Sequence, residues 1–262
     1  MHLLTNKTAI ITGSSSGIGK GIALLFARLG ARVVVTSRTM SQAAQVADEI
    51  RAAGGQATPC PFDLGDHGTI SGLLAAAREG SGRIDILVNN ALSRPSIAPL
   101  ALQDMEYDRL QEGIAANLTN ILALTAAAYP HLKEAGGTVI NIGSAVVNRH
   151  TLGIPLYTIL KGALAQTTKA LAAEWAGDGI RVNQINPGFV RTDAITAQLG
   201  ISSDAAKLMI AHFTKQHPLG RVGEVEDVAV LAAFLASGEA SWITGSVIDI
   251  DGGFSVQGAT FS

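Results

Sequence analysis

The chain has 262 residues, 47% of them apolar and only 15% charged, and a formal net charge of −2. Its lysines and arginines are scattered, which argues against nucleic acid or an anionic membrane as the main partner. The single cysteine, Cys60, excludes an internal disulfide and a Cys-based zinc cluster. No run of about 18 apolar residues could span a bilayer, and residues 1–7 lack the charged start and apolar block of a signal peptide. A soluble protein of a reducing compartment, the cytoplasm, is the expectation.

Residues 8–12 are a short apolar run ending in glycines, as a buried parallel strand would be. Residues 17–29 read as a helix with Ile18, Ile22, Leu25, Phe26 and Leu29 on one side, stopped by Gly30. Residues 32–36 (Arg-Val-Val-Val-Thr) form the second strand. The alternation continues with helix 41–53, strand 57–60, helix 66–78, strand 84–89, a long helical region 105–132 and strand 137–142. A helix then runs from Pro155 to about Ala176, followed by strand 180–186, helix 225–236 and strand 246–250. This predicts an α/β fold, a single doubly wound (Rossmann) domain over residues 1–262 with a seven-stranded parallel sheet flanked by helices. No Pro-rich or charged linker divides the chain. Residues 189–217 are long for a connection and carry Ile195, Leu199, Ile201, Leu208, Met209 and Phe213. An apolar lid over a site is preferred there to two ordinary surface helices.

Gly13, Gly17 and Gly19 lie between the first strand and first helix, where glycine permits a sharp turn and close approach of backbone to a pyrophosphate. The spacing is Gly-x-x-x-Gly-x-Gly rather than the commoner Gly-x-Gly-x-x-Gly. The end of the second strand meets the adenosine ribose in such folds, and an acid there selects NAD. This chain instead has Ser37 and Arg38, with no acid until Asp48. A hydroxyl and a guanidinium suit a phosphate, so NADP(H) is favoured over the alternative of a solvated surface arginine. Further on, Tyr157 and Lys161 stand at i and i+4 on one helix face, with Ser144 upstream. A neighbouring ammonium favours the phenolate and is expected to pull the tyrosine toward neutrality.

Together these residues resemble the short-chain dehydrogenase/reductase family, and the similarity runs from about Lys7 to Gly253. The family's Thr-Gly-x-x-x-Gly-x-Gly is residues 12–19, which implies cofactor contacts from Gly13, Ser15, Ser16, Gly17, Ile18 and Gly19. Its adenine-contacting Asp falls at Asp63, beside Leu64, and its Asn-Asn-Ala-Gly appears as Asn89-Asn90-Ala91-Leu92. Its helix asparagine is Asn117, its serine Ser144, and its Tyr-x-x-x-Lys is Tyr157 and Lys161. Its Pro-Gly is Pro187-Gly188, followed by Val190 and by Thr192, placed for the carboxamide. Thr244-Gly245 and Asp251-Gly252-Gly253 complete the pattern. Two departures stand out: Leu92 replaces a glycine, and Ile159 and Leu160 replace small residues before the lysine.

The resemblance implies hydride transfer between a nicotinamide and a carbonyl carbon, with Tyr157 as general acid/base. Lys161 would stabilise the phenolate and hold the ribose, and Ser144 would bind the substrate oxygen. Asn117 would hold a water linking Lys161 to solvent. No metal is required, and the histidines show no metal spacing. Asn148, Arg149 and His150 border the expected substrate, as contacts or as a solvated loop. Reductases of 3-oxoacyl chains on acyl carrier protein are similar, but their carrier-docking arginines correspond here to Ala135 and Ala173, beside Glu134 and Glu174. A free small-molecule ketone or secondary alcohol is therefore preferred to a carrier-bound substrate. A non-catalytic NADP(H)-binding sensor or scaffold is the rival from another class, and an epimerase or dehydratase a more distant one. The family also implies a homotetramer, its small residues Gly162, Ala163, Ala165, Ala170 and Ala172 permitting close helix contacts and its 254–262 tail reaching a neighbouring subunit.

Overall fold

The computed structural model describes residues 3–93, 99–149, 151–192 and 201–256. The elements in chain order are β1 (Thr8–Ile11), α1 (Gly17–Arg28), β2 (Arg32–Ser37), α2 (Met40–Ala52), β3 (Gln56–Pro61), α3 (Ile70–Arg78) and β4 (Ile86–Asn89). There follow α4 (Tyr107–Ile114), a π-helical turn (Ala115–Thr119), α5 (Asn120–Ala135), β5 (Thr138–Ile142), α6 (Pro155–Trp175) and β6 (Arg181–Pro187). The chain closes with β7 (Val190–Arg191), α7 (Ser203–Gln216), β8 (Gly223–Glu224), α8 (Val225–Ala236) and β9 (Val247–Ile250).

Seven of these strands form one parallel sheet in the order β3-β2-β1-β4-β5-β6-β9. From β1 the chain winds outward through β2 to β3, then returns to β4 and winds the other way. The direction reverses between β1 and β4, whose register pairs Ile11 with Val88. Loops leaving the carboxyl ends of these two strands diverge to opposite faces and leave a crevice between them.

Strand side chains alternate between two cores. Ile11, Val33, Val35, Val88 and Ile185 pack with Ile22, Phe26, Val228 and Ala232 on the α1/α8 face. Ile10, Val34, Leu87, Val139 and Val182 pack with Leu73, Leu124, Leu132 and Leu164 on the α3/α5/α6 face. Burial on both faces is why the strands read as unbroken apolar runs.

The long helical region differs from its sequence reading. It is two α-helices joined by the π turn, it extends to Ala135, and it ends where Gly136 takes a left-handed conformation, φ 58°. β3 includes Pro59 and Pro61, admissible because it lies at the sheet edge. The 189–217 connection contains α7, capped by the Ser202 side chain accepting from the Ala205 N–H at 3.2 Å, and β7, which pairs with β8. Ile195 and Leu199 lie outside the described residues, as do His150 and the end of the tail.

α1 and α8 pack face to face, and a Cβ at Gly21 would overlap Val225 Cγ1. A β-branched side chain has little rotamer freedom to yield. Gly21→Ala is expected to lower unfolding stability by about 1–2 kcal/mol net of the helix preference of alanine. Urea denaturation checks this, and Val225→Ala in the same chain should restore the loss.

Candidate active site

Thr12, immediately after β1, joins the two sides of the crevice. Its hydroxyl donates to Val88 O at 3.2 Å and accepts from the Asn90 and Ala91 N–H groups at 2.9 and 3.0 Å. Asn90 Nδ2 donates back to Thr12 O at 2.8 Å and Gly13 O at 3.2 Å. Ser14, which the sequence reading passed over, is buried. Its hydroxyl donates to Ile11 O and accepts from Thr36 N–H, both at 2.8 Å. These bonds fix the turn, in which Gly13 and Gly17 have φ of 65° and 54°. A Cβ at Gly19 would overlap Asn90 Nδ2 and Gly13 O. The Ser16 side chain at the N-cap of α1 makes no capping bond, and the first-turn N–H groups face the crevice mouth with half-exposed Ser15 and Ile18. This is a cradle that fits a dinucleotide pyrophosphate.

The other residues expected to meet a cofactor lie at or beyond the ends of β2, β3 and β6. Ser37, buried at the end of β2, donates to Gln42 Oε1 at 2.8 Å, whereas Arg38 is exposed. Asp63, exposed beyond β3, accepts from Gly65 N–H at 2.9 Å, and buried Leu64 offers its carbonyl to Asn120 Nδ2 at 2.8 Å. Pro187 ends β6, and Gly188 donates to Ile250 O at 3.1 Å with His217 Nε2 and Asp251 too near for a Cβ. Val190 is half-buried in β7, and the Thr192 methyl lies 3.4 Å from where a Gly17 Cβ would stand. Leu92, where the family has glycine, is exposed.

Across the crevice, the end of β5 carries Ser144 and the first turns of α6 carry Tyr157 and Lys161. Ser144 acts on the Tyr157 phenol, opposing the effect of burial there. The buried Lys161 donates to Ile142 O at 2.7 Å and lies 5.8 Å from the Tyr157 ring centroid. Burial lowers the Lys161 pKa from 10.5 to about 8. The expected fall in the Tyr157 pKa is not found. Burial raises it, opposed by Ser144. The lysine is directed to a carbonyl, and desolvation dominates. Asn117 sits in the π turn, which packs on α6. Its Oδ1 accepts from Ser93 N–H at 2.7 Å and its Nδ2 donates to Gly113 O at 3.1 Å, so it fixes the chain beyond Leu92.

Residues 13–255 match the family model described as enoyl-(acyl carrier protein) reductase. An uncharacterized oxidoreductase of Methylorubrum extorquens is 39% identical over 97% of this chain and 99% of its own length. Among solved structures, a 3-ketoacyl-(acyl-carrier-protein) reductase from Brucella melitensis complexed with NADH superposes with a TM-score of 0.85 at 33% identity, covering 96% and 99% of the two chains. A 7α-hydroxysteroid dehydrogenase complexed with NADH and 7-oxo glycochenodeoxycholic acid gives 0.86 at 33%, covering 96% and 95%. The chain belongs to the short-chain dehydrogenase/reductase family. It is an oxidoreductase acting on alcohol and ketone groups.

This short-chain dehydrogenase/reductase also holds polar groups inside its sheet that the sequence reading left unassigned. Asn89, Asn141 and Gln184 are register partners across β4, β5 and β6, and Asn186 pairs with Asp249 across β6 and β9. Asn89 Nδ2 donates to Asn141 Oδ1 at 2.9 Å, and Asn141 Nδ2 to Thr168 Oγ1 at 2.9 Å. The Thr168 hydroxyl is shared between Leu164 O at 3.0 Å and Gln184 Oε1 at 3.4 Å. Gln184 Nε2 donates to Asn186 Oδ1 at 2.7 Å, and Asn186 Nδ2 to Asp249 Oδ1 at 3.0 Å. Asn186 Oδ1 also accepts the Ser144 N–H at 3.1 Å. The signal was present, since amides inside strands otherwise buried on both faces need partners there.

Asn148 and Arg149, read as possible substrate contacts, turn toward the C-terminal segment. Asn148 Nδ2 donates to Asp249 Oδ2 at 2.7 Å. The Arg149 guanidinium lies 4.2 Å from the Phe254 ring centroid and donates to Phe254 O at 2.8 Å. Asp251 holds that segment by accepting from Gly253 and Ser255 N–H groups at 2.9 and 2.7 Å. Burial would raise its carboxyl pKa, but the Ser255 and Gly253 donors hold it below the usual value.

The depressed Lys161 pKa has a consequence for stability. Between about pH 8 and 10.5 the unfolded chain binds a proton at Lys161 that the folded chain has lost, so this residue makes stability rise with pH there. Below that window it is charged in both states and its burial cost is complete. Lys161→Met is therefore expected to be more resistant to urea than the parent at pH 7. That advantage should shrink as pH rises through the window, followed by paired urea midpoints.

Proposed function

We propose that this enzyme is an NADP(H)-dependent reductase interconverting a free ketone and its secondary alcohol. The observation that carries the reading is the grouping of Tyr157, with Ser144 acting on its phenol, and the buried Lys161 5.8 Å from its ring centroid. A nicotinamide held in the crevice would supply a hydride to the carbonyl carbon, or accept one from the carbinol carbon in reverse. Tyr157, protonated at neutral pH like any phenol, gives that proton to the oxygen as charge develops there. Ser144 holds the same oxygen by a hydrogen bond that strengthens as the charge grows. Lys161, carrying charge below about pH 8, stabilises the phenolate left behind and holds the nicotinamide ribose. Asn117 orders the wall beyond Leu92 and supports a water that reconnects Lys161 to solvent.

The preference for NADP(H) rests on β2 ending at Ser37 with Arg38 next, no acid there, and Arg38 exposed to meet a 2′-phosphate. Asp63 and Leu64 flank the adenine; Asn90 and Ala91 line the ribose side; Pro187, Gly188, Val190 and Thr192 line the nicotinamide side. α7, with Phe213 stacked 4.2 Å from Phe189, forms a lid within one 1–262 domain. The Brucella relative keeps a 3-oxoacyl-ACP reductase as the second reading. Glu134 and Glu174, both exposed where a carrier would dock, repel an acidic partner. Assembly as a homotetramer is supported by exposed Tyr107, Ile114 and Ile159 on α4 and α6, and by open space around Gly162. A cytoplasmic setting accords with the free thiol of Cys60 and with the lack of a helix long and apolar enough to cross a membrane among the described residues.

Two measurements test this. Tyr157→Phe should lower carbonyl turnover at least about 100-fold while NADPH binding, followed by nicotinamide fluorescence, persists; retained turnover would sink the acid/base assignment. Arg38→Ala should raise the KM for NADPH about tenfold or more and leave that for NADH unchanged. A parent enzyme that prefers NADH would reverse the cofactor reading.

A further inference from the structure

We propose that Asp249 is a positioning residue that sets the orientation of the Ser144 loop through Asn186 and Asn148. The inference rests on the catalytic role given to Ser144 above.

Ser144 is the second residue beyond β5, after Gly143, and nothing in the strand ladder itself holds its amide. Its N–H is met by Asn186 Oδ1 at 3.1 Å, from a side chain wholly buried in β6. An asparagine can present either its oxygen or its NH₂ to a given neighbour, and the two orientations have nearly the same shape. Here the choice is forced from the far side. A carboxylate is acceptor-only, so Asp249 Oδ1 requires the Asn186 NH₂, at 3.0 Å. Were Asn186 turned over, its oxygen would face that carboxylate, and its NH₂ would face both the Ser144 N–H and the Gln184 NH₂. Two acceptors would meet on one side and three donor groups on the other.

The second carboxylate oxygen acts on the same loop further along. Oδ2 accepts from Asn148 Nδ2 at 2.7 Å and from Ser255 Oγ at 3.2 Å. A single side chain thus grips the segment at both ends, Ser144 indirectly and Asn148 directly. The space between is filled as well. Gly143 donates to Ile185 O at 2.7 Å, and a Cβ there would overlap Asn186 Oδ1 and Gln184 Nε2. The loop has one seat, and Asp249 supplies the charge that defines it. Asp249 reaches Ser144 only through Asn186 and Asn148, so it acts on where the loop and its serine stand.

The test uses the full-length enzyme with Asp249→Leu, which removes both acceptors, and Asp249→Asn, which keeps one. Two readouts are taken: amide hydrogen exchange of residues 143–149, and kcat with KM for a ketone substrate and for the nicotinamide cofactor. Asp249→Leu is expected to exchange faster in residues 143–149 with β1 and α1 unaltered. It should lose about tenfold or more in kcat, since small displacements of a positioned group have effects of that order, and keep the cofactor KM. Asp249→Asn should recover part of both losses, because Asn186 still finds an acceptor. If Asp249→Leu does not fold, Asp249→Asn alone decides by the same two readouts. Unchanged exchange in residues 143–149 overturns the proposal, and so does faster exchange with kcat intact while Ser144→Ala is inactive. A parent enzyme without carbonyl turnover sinks the reductase reading instead, and the exchange pattern then decides whether Asp249 orders the loop.

Discussion

A parallel sheet covered on both faces leaves its chain few places to present chemistry. Backbone groups within the strands are consumed by the ladders, and side chains on either face are consumed by the two cores. Only the carboxyl ends of the strands remain, and only where winding reverses do neighbouring loops part to leave space. In this chain that place is the gap between β1 and β4. Thr12 bridges it with three hydrogen bonds, the glycine turn opens onto it, and Ser144 and the α6 pair stand one strand further along. Site and fold are therefore one constraint. Loosening the Thr12 and Ser14 bonds would shift the cradle and leave the cores intact.

Within that space, burial is used against ordinary ionisation. A lysine in water is charged far above neutral pH and a phenol is protonated there, so neither shift alone changes which form dominates at pH 7. What burial changes is the readiness of each to change. Lys161 is brought to about 8, close to the point of giving up its charge, whereas Tyr157 is held more firmly as the phenol. The lysine faces the Ile142 carbonyl, so the tyrosine receives little direct help before the hydroxyl of Ser144. A raised pKa makes Tyr157 a weaker acid, so burial by itself does not aid proton donation.

How much of this was legible in the sequence follows from what each signal depends on. The strands and most helices were, because apolar runs and glycine stops are local. The glycine cradle and the Tyr-Lys pair were, because i, i+4 spacing and turn chemistry need no tertiary contact. The π turn at 115–119 was not: its apolar pattern suits a continuous helix, and the wider turn shows only in the fold, where it lies against α6. The fate of Asn148 and Arg149 was not, because their partners Asp249 and Phe254 are about a hundred positions away, |i−j| of 101 and 105, and become neighbours only when β9 joins β6. The Tyr157 shift was misread for a related reason. Spacing places the lysine near, but only the fold shows its ammonium directed to a carbonyl.

The amides inside the sheet carry the same lesson into energetics. Buried polar groups are costly unless paired, and each unpaired one loses about 1–3 kcal/mol. Apolar side chains at Asn141, Gln184 and Asn186 would serve the core without that risk. What the amides add is direction. A chain of donors and acceptors that ends on a carboxylate has a single low-energy sense, running from Asn89 toward Asp249. At its other end Asn89 Oδ1 is buried without a partner among the described residues, an acceptor left over because every donor points the opposite way. The alternative sense would pair that atom but set oxygen against oxygen at Asp249. An unpaired neutral acceptor is the smaller penalty, and the serine at the mouth of the crevice gains a fixed seat from it.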